Sequence, residues 1–331
     1  MSGGFARYLA RRLGQMLITL WVIATILFLM FRLMPGNPLA AYIDPTFTQE
    51  QAEVLLHQFG LDQPLYVQYG KFLLNLLHGD LGQSFFYHRP VSQVLLDSLP
   101  NTIYLMLASL LIAYVIGISG GIGLAMLRGR RGEQVGIVAT LVSRSAPQFW
   151  VGMILLALFS FHFGWFPGGG IAQAGTIFPS EWAKLGSGDF WLHLALPAFT
   201  LTFYLLGLPL LLMRTNMLEV LGEDFITMMR MKGFGEWRIM VRHAARNALL
   251  PVVTAMAVGI GYAIGGNVVV ETVFSWPGLG RLLVASVQAN DYPVAQGAFL
   301  VSAALMVLMN LIADLLYGVL DPRVKTIGGD A

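Results

Sequence analysis

The chain has 331 residues, of which 56% are hydrophobic and only 11% charged; the net charge is +2 and there is no cysteine. A mean hydropathy of +0.68 excludes an ordinary soluble globular protein. The missing cysteine excludes a disulfide framework, a thiolate metal site and a thiol nucleophile.

Six apolar windows are long enough to cross about 30 Å of hydrocarbon at 1.5 Å per helical residue: 13–31, 103–127, 135–161, 196–213, 252–270 and 298–320. The first follows Arg11 and Arg12 but is longer than the apolar core of a signal peptide and lacks a small-x-small cleavage site, so it is expected to be a retained span. An all-α membrane protein with six transmembrane helices follows, with both termini on one side.

Between Met34 and Pro100 the composition is that of an external, mostly soluble loop. Thr48 with Gln51 forms a capping box before a helix over 50–59 that Gly60 ends. Pro64 opens a second helix, in which Leu65, Tyr69, Phe72, Leu73 and Leu76 recur at helical spacing until Gly79. Such an amphipathic pair either packs on its own protein or offers a docking surface to a delivery protein.

The second window ends in Gly117, Gly120, Gly121 and Gly123, whose small size allows close helix contact. In the third, Arg144, Pro147 and Gln148 interrupt the apolar run, and Arg144 and Gln148 share a face if the helix is continuous. A cation at membrane depth costs about 2.5 to 3.5 kcal/mol even on mild scales. Arg144 is therefore expected either to pair with Asp314, which lies one turn after Asn310 on the last span, or to line an aqueous translocation path with Gln148, Asn310 and Asp314 and attract a substrate carboxylate. The stretch 164–193 reads as an irregular external loop. Pro197 is predicted to start the fourth span and Pro209 to kink it.

A polar, charge-dense island occupies 219–251. Its first half, 222–232, opens with Glu223 and Asp224 and closes with Arg230 and Lys232, the order that suits a helix dipole. Gly233-Phe234-Gly235 breaks it at a tight turn. A second helix follows, predicted to pack Trp237, Met240, Val241, Ala244 and Ala248 on one face and to turn Arg238, Arg242 and Arg246 to another. The fifth span carries Ala255, Gly259 and Ala263 at small-xxx-small spacing, and beyond it Pro277-Gly278 marks a turn before a short interfacial helix with Leu282, Leu283 and Ser286.

Basic residues fix the orientation. Arg7, Arg11, Arg12, Arg128, Arg130, Arg131, Arg214, Arg230, Lys232, Arg238, Arg242, Arg246, Arg323 and Lys325 fall on one side of the spans, against Lys71, Arg89, Lys184 and Arg281 on the other. The termini and the 219–251 island are thereby predicted to be cytoplasmic. Topology thus accounts for the basic isoelectric point and leaves no case for nucleic-acid binding.

The island resembles the cytoplasmic coupling loop of ABC-transporter membrane subunits, with Gly233 at the motif glycine and Pro251 at the proline that starts the next span. Thr227, Met228 and Met229 stand where that loop has its EAA triplet. The run His243-Ala244-Ala245-Arg246-Asn247-Ala248, the strings RLMPGNP, GLDQPLYVQYGKF and GDLGQS, the segment ETVFSWPGLGR (271–281) and the tail NLIADLLYGVLDPR (310–323) are similar to B-type subunits of the dipeptide, oligopeptide and nickel permease branch.

The resemblance implies a type I ABC importer transmembrane domain: an N-terminal helix and large periplasmic loop over 1–97, the transmembrane domain over 98–320, and a cytoplasmic tail over 321–331, in the bacterial inner membrane. It further implies that Glu223, Asp224, Thr227, Met228, Met229, Arg230, Lys232, Gly233 and Phe234 meet a cytosolic ATPase. The implied partners are a second permease subunit, two ATP-binding cassette subunits carrying ATP and Mg, a periplasmic solute-binding protein and the lipid bilayer. The branch has an uncharged residue at the position of Arg144, so nothing carries over to it.

No G-x-x-x-x-G-K-[ST] occurs, so the chain is expected to bind no nucleotide cofactor and to be no enzyme. The six histidines are scattered, with no metal-ligand spacing and no expected metal site. The rival reading is a self-contained secondary transporter or channel, which would use an intramembrane carboxylate such as Asp314 for ion coupling.

Overall fold

The computed structural model describes the backbone of residues 2–33, 62–265 and 268–320, and the side chains of all of these but 2–6, 8, 257–265 and 315–320. The predicted helix over 50–59 with its capping box, most of RLMPGNP, the tail 321–331 and the Gly259 and Ala263 contacts lie outside the described residues.

Every regular element among the described residues is helical: α1 Ser2–Arg32, α2 Leu65–Leu77, α3 Val91–Met126, α4 Arg131–Ser145, α5 Gln148–Leu155 with a π-helical extension Leu156–His162, α6 Glu181–Leu185, α7 Gly188–Leu205, α8 Gly207–Val220, α9 Asp224–Met231, α10 Glu236–Arg238 with a π-helical turn Ile239–Ala244, α11 Ala245–Gly265, α12 Val268–Val273, α13 Leu279–Gln288 and α14 Tyr292–Leu320. Three of these, α1, α3 and α14, are long and apolar enough to cross a membrane, and two bent pairs, α4 with α5 and α7 with α8, bring the number to 5. The remaining predicted window, 252–270, falls on α11, a helix of 21 residues.

Three predictions along the spans are corrected. First, α3 begins at Val91 and carries Pro100 inside it, so the helix reaches well beyond the predicted start at 103. Second, the third window is no straight span: Ala146 is extended (φ −70°, ψ 129°) and the axis turns by 102° between α4 and α5. The residue before a proline is pushed out of the helical region, which ends α4 there. Arg144 and Gln148 consequently sit on different helices. Third, the 164–193 loop is not wholly irregular. It holds α6, capped by the Ser180 hydroxyl accepting from the Ala183 N–H, and α7 starts at Gly188 with Pro197 inside it. The predicted kink is present: α7 and α8 meet at 43°, at Leu206. Pro209 has no N–H to offer the Leu205 carbonyl one turn earlier, which loosens the helix at that point.

The amphipathic helix α2 lies on α1, with the Phe28 ring 5.3 Å from Tyr69 and 5.4 Å from Phe72, and with the Thr25 and Tyr69 hydroxyls 2.7 Å apart. Close contact explains two of the glycines ending α3. A Cβ on Gly117 would come within 2.7 Å of the Pro209 ring, and one on Gly121 within 2.6 Å of the Leu210 carbonyl oxygen. The backbones of α3 and α8 therefore nest as small residues allow.

Near its N-terminal end, α3 is bolted to the segment after α12. The Thr102 hydroxyl donates to Glu271 Oε1 (2.7 Å) and accepts from the Leu279 N–H (2.8 Å), while the Arg281 N–H reaches Glu271 Oε2 (3.0 Å). Trp276 donates to the Asn101 carbonyl at 2.9 Å, and Lys184 donates to Asn101 Oδ1 at 3.2 Å. Thr102, Glu271, Trp276, Asn101 and Lys184 are all buried. A Cβ on Gly278 would collide with Glu271 and Thr102, which is why the Pro277-Gly278 turn needs its glycine. Asp291, also buried, accepts from the Ser84 hydroxyl (2.5 Å) and the Phe85 and Phe86 N–H groups (3.1 Å each), tying the 82–90 turn, closed by a bridge between Gln83 and Pro90, to the start of α14.

Candidate functional site: the polar elbow between α8 and α11

The 219–251 island folds as the sequence predicts in its first half. Glu223 precedes α9 in extended conformation, and Asp224 occupies its first turn, where a carboxylate faces the positive end of the helix dipole. The C-terminus is a complete Schellman motif: the Gly233 N–H bonds the Arg230 carbonyl (2.9 Å) and the Phe234 N–H bonds the Met229 carbonyl (3.2 Å). Gly233 has φ +78° and nothing within 4 Å of where a Cβ would stand, so glycine is needed there for its conformation and not for space.

α9 sorts its side chains sharply. Ile226 is fully buried, with Phe225 and Met229 half-buried beside it, against Met213 and Met217 of α8, Ile239, Met240 and Ala244 of the π-helical turn, Ala245, Ala248 and Val252 of α11, and Leu110, Tyr114 and Ala125 of α3. Glu223, Asp224, Thr227, Met228, Arg230, Lys232 and Gly233 face outward. Met229, of the same predicted set, is half-buried against this core. Arg230 and Glu236 close the turn with an ion pair of 2.7 Å. The Arg230 hydrogen bond holds the Glu236 carboxyl below the usual carboxylate range, and Glu236 in turn raises Arg230.

The second half differs from prediction. No separate second helix stands off from the membrane; α10, the π-helical turn and α11 run on without a break. The π turn inserts extra residues per turn and so shifts the buried stripe. Ile239, Met240, Ala244, Ala245 and Ala248 are buried, whereas Trp237 is 67% and Val241 41% exposed. Arg238, Arg242 and Arg246 face outward as expected. Arg238 sits over the Phe234 ring at 5.4 Å, and His243 meets the same ring edge-on at 6.0 Å.

Met228 (51%), Met231 (79%), Phe234 (36%) and Trp237 (67%) therefore form an exposed apolar rim on an otherwise charged elbow. Met231 and Trp237 were missed as surface residues from sequence. Their signal is a large apolar side chain in a polar island; the fixed 3.6-residue period assigns Trp237 to the packed face and says nothing of Met231. An apolar rim set among charges is the composition of a protein contact.

The predicted path residues are not brought together as a set. Asp314 pairs with Arg12 of α1 at 2.9 Å, so the expected Arg144–Asp314 bridge does not form. Asn310 is exposed one turn before Asp314, Arg144 is exposed at the end of α4, and Gln148 is half-buried at the start of α5. No cluster of metal-ligating side chains occurs among the described residues.

Residues 117–326 match the family described as the binding-protein-dependent transport system inner membrane component, and residues 5–106 match the N-terminal part of such membrane components. The chain belongs to this family. The oligopeptide transport system permease protein AppB of Bacillus subtilis is 41% identical over 323 residues, covering 97% of this chain and 99% of that protein. The glutathione transport system permease protein GsiC of Salmonella typhimurium is 35% identical over 318 residues, covering 96% and 98%. The chain is accordingly a membrane permease subunit with the type I ABC importer fold, and the elbow is the part of this permease that stands apart from its apolar spans. Its place is the inner membrane.

Proposed function

We propose that this permease forms half of the translocation path for peptides or peptide-like solutes and that its elbow receives the movement of cytosolic ATPases. The observation that carries this reading is the double character of α9. One face, Ile226, is locked into a core shared with α3, α8 and α11, and the other carries Met228, Met231, Phe234 and Trp237 in the open. A push on the open face displaces three spans together, because a close-packed core transmits displacement instead of absorbing it. Relatives named for oligopeptides and for glutathione support a peptide-like cargo.

In this reading the termini and the elbow are cytoplasmic, in keeping with the one-sided basic residues. The assembly contains a second permease of related design, two ATP-binding cassette subunits that hold ATP and Mg, and an external solute-binding protein. Nucleotide binding closes the ATPases, and the elbow rocks the spans between outward and inward access. A self-contained secondary transporter has less support, since Asp314, its candidate ion-coupling carboxylate, is engaged by Arg12.

The test is co-purification. Met231→Asp with Trp237→Asp leaves the permease folded, because both side chains are exposed, and strips the ATPases from it. Undiminished ATPase binding, with hydrolysis still stimulated by loaded binding protein, overturns the assignment of the elbow.

A further inference from the structure

Two spans are broken, and their breaks meet. α4 ends at Ser145 and α5 starts beyond Pro147 after a 102° turn, while α7 gives way to α8 at 43°. Between them lies Arg144. A Cβ on Gly207 would stand 2.5 Å from Arg144 Cγ and 2.6 Å from its Cδ, so the aliphatic stem of Arg144 rests on bare backbone at the start of α8.

The depth of this contact follows from the pairing of the helices. α4 runs alongside α8 in the opposite sense, because Glu133 near its start bonds Arg214 while Thr140 and Arg144 near its end reach Gly207. Gly207 opens the 14-residue helix α8, so it stands roughly 20 Å along the axis from the elbow that follows Val220. A guanidinium that deep is costly against lipid and calls for water or an anion.

Among the described residues no carboxylate pairs with it. Asp314 is held by Arg12, and among the described residues Arg144 makes no ion pair. Beyond the bend, four residues along the chain from Arg144, α5 begins with donors. Gln148 is half-buried at the first position of α5, and the N–H groups of that first turn precede the first helical bond, from Val151 to the Pro147 carbonyl at 3.1 Å. Broken helices are one way in which membrane proteins build anion sites at depth.

We propose that Arg144, seated on Gly207 where the two broken spans meet, binds carboxylates of the passing solute and makes the path favour acidic over basic peptides. The proposal rests on the peptide-importer reading and adds selectivity to the path itself. The same guanidinium accepts a cation-bearing peptide poorly, since like charges at close range repel in a poorly screened site.

The experiment uses the whole importer in lipid vesicles, with its ATPases and binding protein. Uptake of a glutamate-containing and a lysine-containing tripeptide is measured at concentrations that saturate the binding protein, for the wild type, Arg144→Gln, Arg144→Lys and Arg144→Glu. The acidic-to-basic uptake ratio of each variant is divided by that of the wild type, which cancels the preference of the shared binding protein. Arg144→Gln is expected to lower the ratio about tenfold, the scale of one charge-assisted contact. Arg144→Lys keeps most of it and Arg144→Glu inverts it. A ratio that stays the same in both Arg144→Gln and Arg144→Glu overturns the proposal. So does loss of ATPase co-purification in Arg144→Gln with retention in Arg144→Lys, which assigns the charge to assembly through a partner subunit's acid. Should the wild type take up neither tripeptide when ATP is supplied, the importer reading itself fails, and this one with it.

Discussion

Replacing Thr102 by valine preserves the shape of the side chain and removes a hydroxyl that serves two buried partners. It donates to Glu271 Oε1 at 2.7 Å and accepts from the Leu279 N–H at 2.8 Å, and both partners are buried. After the substitution the Leu279 N–H has lost its acceptor, and Glu271 keeps the Arg281 N–H on its other oxygen. A buried polar group left unsatisfied costs about 1 to 3 kcal/mol, so two of them set an expected loss of about 3 kcal/mol. Thr200 provides the internal control. It is equally buried, but its hydroxyl only bonds back to the Leu196 carbonyl of its own helix (2.9 Å), and Thr200→Val is expected to cost less than about 1 kcal/mol. Reversible unfolding of the purified permease in mixed detergent micelles, followed by circular dichroism, measures both. If Thr102→Val is no more destabilising than Thr200→Val, the outer bolt is not a source of stability.

Two further substitutions probe other joints. Gly233→Ala forces an L-residue to φ +78°, at about 1 to 2 kcal/mol, and should weaken coupling of ATP hydrolysis to uptake; Gly233→Pro also deletes the N–H that bonds Arg230 and should abolish it. Coupling ratios at the wild-type level in both variants would show that the Schellman turn is dispensable. For the N-terminal helix, Asp314→Asn and Arg12→Gln should each loosen α1, read as faster proteolysis of the N-terminal segment, and the exchange Arg12→Asp with Asp314→Arg should restore it. No restoration by the exchange would mean that the two side chains act independently. The Arg230–Glu236 pair adds little of its own, because both groups are largely exposed and screened. Its contribution is present above the ordinary carboxylate pKa and lost only as pH falls through the lowered value of Glu236, so this pair does not titrate near neutrality.

Local chemistry made much of this fold readable. Pro64 and Gly79 bracket α2, Gly233 ends α9 in the turn its neighbours imply, and Pro277-Gly278 introduces α13. What failed to show did so for identifiable reasons. The seat of the Arg144 stem on Gly207 is a contact between residues far apart in sequence. The exposure of Trp237 depends on a π-helical turn that no 3.6-residue periodicity anticipates. In the site, the order of charges and the glycine mark the elbow, but which side chains face outward depends on the shared core, which half-buries Met229 and leaves Met231 and Trp237 exposed. The sequence offers Asp314 as the best intramembrane acid for Arg144, but in space Arg12 holds it.

The 36 residues of α3 span about 54 Å, well beyond the hydrocarbon thickness of about 30 Å. Its outer end carries Asn101 and Thr102, and its inner half carries Leu110, Tyr114 and Ala125 in the same cluster as Ile226. No loop interrupts the stretch between them. Whatever leans on the outer rim and whatever pulls on the inner knee are therefore gripping one shaft at opposite ends, and news of either arrives at the other without a slack joint to lose it in.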